Sequence, residues 1–141
     1  MNQQSFLRAP RLLLTSLALA ALSSAAFAVD VPVSLTGEQE VPPVKTSATG
    51  NGMFAIAADN TIAGSISTKG VTGTAAHIHE GAAGKNGPVI IPLTKSGDTY
   101  TVPAGTKLSA TQLNEFKAGN LYVNVHSDAN KGGEIRAQLK P

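Results

Sequence analysis

The chain has 141 residues and no cysteine or tryptophan, so it is long enough for one small domain and cannot rest on disulfides. Its 11 Lys and Arg residues exceed its 9 Asp and Glu residues by two, but Arg8 and Arg11 lie in an N-terminal segment that resembles an export signal. Without them, nine basic residues face nine acidic ones. This balance argues against nucleic acid as a partner, because such binding needs a surplus of Lys and Arg to neutralise phosphates.

Residues 1–28 have the pattern of a signal peptide. Met1–Arg11 carries two positive charges and no acid, Leu12–Leu22 is an apolar run, and Ala26-Phe27-Ala28 has the small-residue form of a cleavage site. The apolar run is too short to span a bilayer comfortably. We therefore expect cleavage after Ala28, release of residues 29–141 as one periplasmic or secreted domain, and no membrane insertion after cleavage.

Short apolar runs separated by Gly, Pro, Asn and Asp indicate that this domain is built from strands. Val31–Leu35 is the first predicted strand, and Pro42-Pro43 stops any regular ladder because proline cannot donate to it. Phe54–Ala58 and Ile62–Ile66 flank the turn sequence Asp59-Asn60 and predict a hairpin. Five more strands are predicted at Ala75–His79, Pro88–Leu93, Thr99–Val102, Leu121–His126 and Glu134–Leu139.

One short helix is predicted among the strands, at Ser109–Ala118. Ser109 and Gln112 have capping-box spacing, and Gly119 follows at the position that favours a left-handed residue. The apolar face of this segment is narrow, so we expect the helix to cover an open end of the β structure. The predicted fold is an all-β Greek-key sandwich or barrel of about eight short antiparallel strands with one capping helix.

The three histidines, His77, His79 and His126, lie in two of the predicted strands. Side chains alternate between the faces of a strand, so His77 and His79 project together from the outer face if Ile78 enters the core. By the same alternation, the valines of the second strand enter the core and His126 points outward with Asn124. Three imidazoles that meet there would bind a transition metal, with copper favoured and zinc as the alternative.

Further polar residues are predicted to support such a site. Asp128, Glu134 and Glu80 are placed to accept the remote imidazole N–H and fix its tautomer, and Asn124 shares the outer face. Arg136 also has the parity of the outer face, where we expect it to contact an anionic ligand or to form a surface ion pair with Glu134. No catalytic residue is assigned, since the chain lacks cysteine and a Gly-x-Ser-x-Gly nucleophile motif.

Four motifs in this order resemble the CHRD domain family, named after chordin. The resemblance extends over essentially all of the predicted mature chain and implies an extracellular or periplasmic β-sandwich module. In chordin this domain belongs to a secreted antagonist of bone morphogenetic proteins. The motifs are Leu35–Val44, Ala76–Gly81 with Gly87–Val89, Leu121–Ser127 and Gly132–Leu139.

A fainter similarity is to copper–zinc superoxide dismutase, which also carries an H-x-H pair on an outer strand of a Greek-key barrel. Here the matching residues are His77, His79, His126 and Arg136. That enzyme uses four copper-binding histidines and a disulfide, whereas this chain has three histidines and no cysteine. The similarity therefore implies an architecture rather than dismutation.

These patterns leave three functions open. The first is an exported protein that binds copper, or zinc, through the three histidines. The second is a noncatalytic interaction module for an extracellular or periplasmic protein, in which the histidines brace loops. The third is a redox enzyme that acts on superoxide or peroxide through the bound metal. Metal affinity separates the first function from the second, and turnover by the copper-loaded protein distinguishes the third.

Overall fold

The structure is a computed structural model that describes residues 28–141. The signal peptide predicted at residues 1–28 therefore lies outside the described residues, except for Ala28. Within the described range, no helix is long and apolar enough to cross a membrane. The described chain contains nine strands, one α-helix and a short 3-10 helix at Gly37–Gln39.

The nine strands are antiparallel to their neighbours and form one sheet. The strands are β1 Val29–Thr36, β2 Thr49–Ile56, β3 Ile62–Lys69, β4 Gly73–Glu80, β5 Val89–Pro92, β6 Thr94–Ser96, β7 Thr99–Thr101, β8 Leu121–Ser127 and β9 Ile135–Leu139. Their order across the sheet is β5-β4-β8-β9-β1-β2-β3-β7-β6. Only Leu93 separates β5 from β6, the two edge strands, so the two ends of the sheet nearly close a barrel.

This architecture confirms the predicted all-β fold. Strands β8 and β9 return from the C-terminal part of the chain to lie between β4 and β1, which is the kind of non-sequential pairing seen in Greek-key folds. One strand was not predicted, β6, because all three residues of Thr94–Ser96 are polar and exposed and carry no apolar alternation.

The helix α1 spans Ala110–Lys117 and confirms the predicted capping box. Ser109 Oγ accepts from the Gln112 backbone N–H at 3.1 Å, and the Gln112 side chain accepts from the Ser109 backbone N–H at 2.9 Å. Gly119 follows the helix with a φ of 76°, which an L side chain rarely adopts. Phe116 is buried in the core, so α1 packs on the barrel through its narrow apolar face.

Apolar side chains from the strands fill the inside of the barrel, as the alternation predicted. Ile78 of β4 and the two valines of β8, Val123 and Val125, are completely buried there. Because successive residues of a strand point to opposite faces, the neighbours of these core residues lie on the outer face of the sheet. The histidines of both strands are among those neighbours.

Two loops cover the outer face of β4, β8 and β9. One is segment 37–48 between β1 and β2, and the other is segment 81–88 between β4 and β5. Asn86 Nδ2 donates to Val41 O at 2.7 Å and so joins the two loops. Beneath them the outward-pointing Arg136 is only 1% exposed. The outer face therefore carries a second, polar layer of buried side chains. The candidate site includes buried His79 from this layer together with the half-buried His77 and His126.

Candidate metal centre

The three histidines meet on the outer face because β4 and β8 are hydrogen-bonded neighbours. In their register, His77 lies opposite Asn124 and His79 lies opposite Tyr122. His126 follows Asn124 by two residues on the same face. Each of the three histidines contributes one ring nitrogen, and these nitrogens all lie within 4.8 Å of one another. We call this group the histidine cluster.

Backbone carbonyls fix the tautomers of two of these histidines. His79 Nδ1 lies 2.9 Å from Gly87 O, and His126 Nδ1 lies 2.8 Å from Lys131 O. A carbonyl oxygen can only accept, so each Nδ1 carries the proton and each Nε2 keeps its lone pair. His79 Nε2 is buried and has no hydrogen-bond partner among residues 28–141. The cluster therefore presents imidazole lone pairs, which are the groups that bind a metal.

His77 contributes the third ring and connects the cluster. Its Nδ1 lies 3.0 Å from His126 Nε2. Because His126 Nε2 has no proton, His77 Nδ1 donates to it in the metal-free protein, and a metal ion bound through these two nitrogens would replace this hydrogen bond. Burial lowers the pKa of both His77 and His79, and the neighbouring imidazoles lower it further. Both effects favour the neutral rings that a metal ion requires.

The predicted carboxylates do not accept the ring N–H of His79 or His126, because both N–H groups donate to backbone carbonyls. Glu134 accepts from Ser127 Oγ and from Thr46 Oγ1, which lowers its pKa and ties the loop before β2 to the turn before β9. Neither Asp128 nor Glu80 belongs to the group of possible ligand atoms that the described residues bring together here. The support predicted from carboxylates comes instead from backbone carbonyls, because the loops after β4 and β8 fold back onto the sheet.

Arg136 is held by protein groups rather than exposed. Its guanidinium donates to Asn86 Oδ1 at 3.3 Å, to Ala82 O at 3.1 Å and to Gln138 Oε1 at 3.1 Å. It forms no ion pair with Glu134, so the predicted surface pair was wrong. The outward direction of Arg136 was predicted correctly from the alternation of side chains along the strand. This alternation does not reveal that a loop covers the residue. Loop 81–88 buries the guanidinium, so it is not exposed to an anionic ligand.

Tyr122, which was not predicted as part of the site, packs against the histidine cluster through His79. Its ring stacks on His79, with centroids 4.7 Å apart and planes 7° from parallel. The guanidinium carbon of Arg136 lies 3.4 Å from the centroid of the same ring. Strands β4 and β9 flank β8, so the ring is contacted from both neighbouring strands. Tyr122 lies four residues before His126 in β8, and side chains at an even spacing in a strand share a face. This spacing was the signal in the sequence that places Tyr122 on the outer face.

Glu40 is the second residue that sequence analysis missed. It lies in loop 37–48, is 4% exposed, and its Oε1 has no hydrogen-bond partner within the described chain. Burial raises the pKa of this carboxyl, while the Asn124 amide and the positive charge of Arg136 oppose the rise. No periodic pattern marks a carboxylate that a loop folds inward, so the sequence offered no signal for it.

Comparison with known proteins assigns the family. No characterised protein and no solved structure gives a match to the chain. A protein-family model described as the CHRD domain matches residues 31–139, a range that includes all three histidines and nearly every residue of the sheet. Because the matched range is well over half of the chain, the chain belongs to the CHRD domain family.

Proposed function

We propose that this protein is an exported, extracellular or periplasmic module that binds one transition-metal ion through His77, His79 and His126. The observation that carries the proposal is that three ring nitrogens on two paired strands lie within 4.8 Å of one another. Three imidazoles form a ligand set used for both copper and zinc, and the general order of divalent-metal affinities favours copper. Export through a signal peptide at residues 1–28 is part of the proposal.

The surroundings of the rings support this function. Metal-binding histidines usually donate their second ring N–H to a carbonyl or carboxylate, which orients the ring and raises the basicity of the ligand atom. His79 and His126 have this arrangement, with Gly87 O and Lys131 O as the acceptors. The lowered pKa values of His77 and His79 reduce competition from protons at neutral pH.

The same hydrogen bonds favour a second function. His79 ties β4 to the loop that contains Gly87, and His126 ties β8 to the loop that contains Lys131. In this alternative the histidines brace the loops of a noncatalytic module whose partner is an extracellular or periplasmic protein. In His79 and His126 the two functions use different atoms of the same ring, because bracing needs Nδ1 and metal binding needs Nε2.

This difference allows a matched pair of variants to separate the functions. An asparagine amide nitrogen reaches nearly the position of histidine Nδ1, so His79→Asn and His126→Asn keep the loop hydrogen bond and remove the ligand nitrogen. Titration of the tag-free protein with Cu(II) and Zn(II), followed by calorimetry and copper paramagnetic resonance, measures the binding. We expect stoichiometric binding with nitrogen hyperfine splitting, and loss of binding without loss of fold in the Asn variants.

Two results would contradict the proposal. If the wild-type protein binds no metal at micromolar concentration, the proposed metal function is wrong. The alternative function, in which the histidines brace the loops of a protein-binding module, is then favoured. If the combined His79→Asn and His126→Asn variant keeps the full affinity, a metal binds elsewhere and the assigned site is wrong. His79→Gln and His126→Gln complete the comparison, since their longer side chains remove the bracing donor.

A further inference from the structure

The amide of Asn124 lies among the three histidines. It is on β8, directly opposite His77 and two residues before His126, and it points to the same outer face. The side chain is 2% exposed, yet its Oδ1 has no hydrogen-bond partner within residues 28–141. A buried oxygen without a donor is costly and demands an explanation.

A second unpartnered acceptor lies close to this oxygen in the sheet. His79 is paired with Tyr122, so Asn124, two residues further along the same face of β8, is its diagonal neighbour across the two strands. The Nε2 of His79 is also buried without a partner, and it carries a lone pair because Nδ1 donates to Gly87 O. Two acceptors cannot satisfy each other, whereas a cation between them satisfies both.

Glu40 determines which way the amide points. Asn124 Nδ2 donates to Gly132 O at 3.4 Å and faces the Glu40 carboxylate, which leaves Oδ1 directed toward the histidines. A Cβ at Gly133 would overlap both Glu40 Oε1 and Asn124 Nδ2, and this glycine has a φ of 132°. The absence of a side chain at Gly133 therefore permits the contact between carboxylate and amide.

We propose that Asn124 is the fourth ligand of the metal ion, through Oδ1, and that Glu40 is a positioning residue that orients this amide. The inference rests on the proposed metal function, which assigns three nitrogens and no oxygen. It changes the chemistry of the site, because a three-nitrogen, one-oxygen set suits a four-coordinate divalent ion. The oxygen donor favours Cu(II) or Zn(II) over Cu(I), which prefers soft ligands.

The test compares the full protein with three variants. Asn124→Ala removes the oxygen donor, Glu40→Gln removes the charge that orients the amide, and the double variant Glu40→Gln with Asn124→Asp exchanges the carboxylate and the amide. The exchange keeps the total charge and the contact between a carboxylate and an amide beside Gly133. Affinity is measured for Zn(II) by competition, and the ligand set is read from the paramagnetic resonance of Cu(II).

We expect Asn124→Ala to bind Zn(II) about tenfold or more weakly, and the Cu(II) spectrum to change while three-nitrogen hyperfine structure remains. Glu40→Gln should shift the Cu(II) spectrum in the same direction with a smaller loss of affinity. The exchange variant should bind more tightly than the wild type, because it places a charged oxygen on the ion. A residue that only stabilised the fold would move none of these spectra.

The results separate this inference from the proposed function. No binding by the wild type contradicts the proposed function itself. Binding by the wild type, with unchanged affinity and spectrum in Asn124→Ala and in the exchange variant, contradicts only the ligand role of Asn124. If Asn124→Ala does not fold by circular dichroism, the exchange variant decides alone, since it preserves the size and charge of the pair.

Discussion

The ring of His79 lies parallel to the ring of Tyr122, with 4.7 Å between their centroids. Arg136 approaches Tyr122 from the other neighbouring strand, with its guanidinium carbon 3.4 Å from the ring centroid. A proposed metal ligand, an aromatic ring and a buried cation are thus coupled through direct contacts under loop 81–88. A change at Tyr122 therefore alters both the proposed metal site and the buried cation.

Two substitutions of Tyr122 should separate the contribution of its ring to stability from the contribution of its hydroxyl group. Tyr122→Phe keeps the ring and removes the oxygen that accepts from the Gly87 N–H at 3.2 Å, so we expect a loss of about 1 kcal/mol in the free energy of unfolding. Tyr122→Leu also removes both stacking contacts, and the loss should rise to about 3 kcal/mol. Urea denaturation of the metal-free protein measures both values, and equal losses in the two variants would mean that the stack contributes nothing.

The fold was predictable from the sequence where alternation is strong. The positions of Ile78, Val123 and Val125 determine which faces of β4 and β8 enter the core, and this alternation correctly placed the histidines on the outer face. The capping box at Ser109 is equally local. Strand β6 was missed because its three exposed polar residues carry no apolar period.

The candidate site was predictable only in part, because its remaining members depend on contacts between distant segments. Loop 81–88 buries Arg136, and loop 37–48 brings Glu40 to Asn124. Contacts of this kind, between a loop and a distant strand, leave no periodic pattern in the sequence. The carbonyls that fix the imidazole tautomers belong to the backbone, which every residue has. The residue types in the sequence therefore could not predict them. The identity of the metal, the export signal, the partner and the similarity to superoxide dismutase stay predictions.

The stability of the metal-free protein should fall as the pH decreases through about 6.5. Burial lowers the pKa values of His77 and His79 from 6.5, so the unfolded chain binds protons there that the folded chain does not. The free energy of unfolding therefore decreases from about pH 6.5 down to the lowered pKa values. Denaturation midpoints measured across this interval test the expectation.

The control for this pH dependence is a variant with both histidines of β4 replaced by asparagine. It should show a flatter profile below about pH 6.5 than the wild type. Glu40 acts with the opposite sign, because burial raises its pKa and the stability it contributes is lost as the pH rises. The difference between the stability profiles of the wild type and the variant gives the contribution of the two histidines. Identical slopes below about pH 6.5 would contradict the assignment of the pH dependence to His77 and His79.

Loss of the buried Arg136 charge should cost more than loss of its hydrogen bonds alone. Arg136→Met removes the charged hydrogen bonds to Asn86, Ala82 and Gln138 and the positive charge that favours the buried Glu40 carboxylate, and we expect the free energy of unfolding to fall by about 3–5 kcal/mol. The double variant Arg136→Met with Glu40→Gln should recover part of this loss, because it also removes the stranded carboxylate. A double-mutant cycle by chemical denaturation gives the coupling, and strictly additive losses would refute it.

Metal should stabilise the folded protein by mass action, because the cluster forms only when β4 and β8 are paired. At a free metal concentration about 100 times the Kd, the gain in the free energy of unfolding is about 2.7 kcal/mol, and a chelator should reverse it. His126→Asn keeps a donor toward Lys131 O but loses Nε2, and with it both the ligand nitrogen and the acceptor for His77 Nδ1. Its melting temperature should fall slightly below that of the metal-free wild type and should not respond to metal. An equal metal-dependent rise in this variant would place the bound ion away from the histidine cluster.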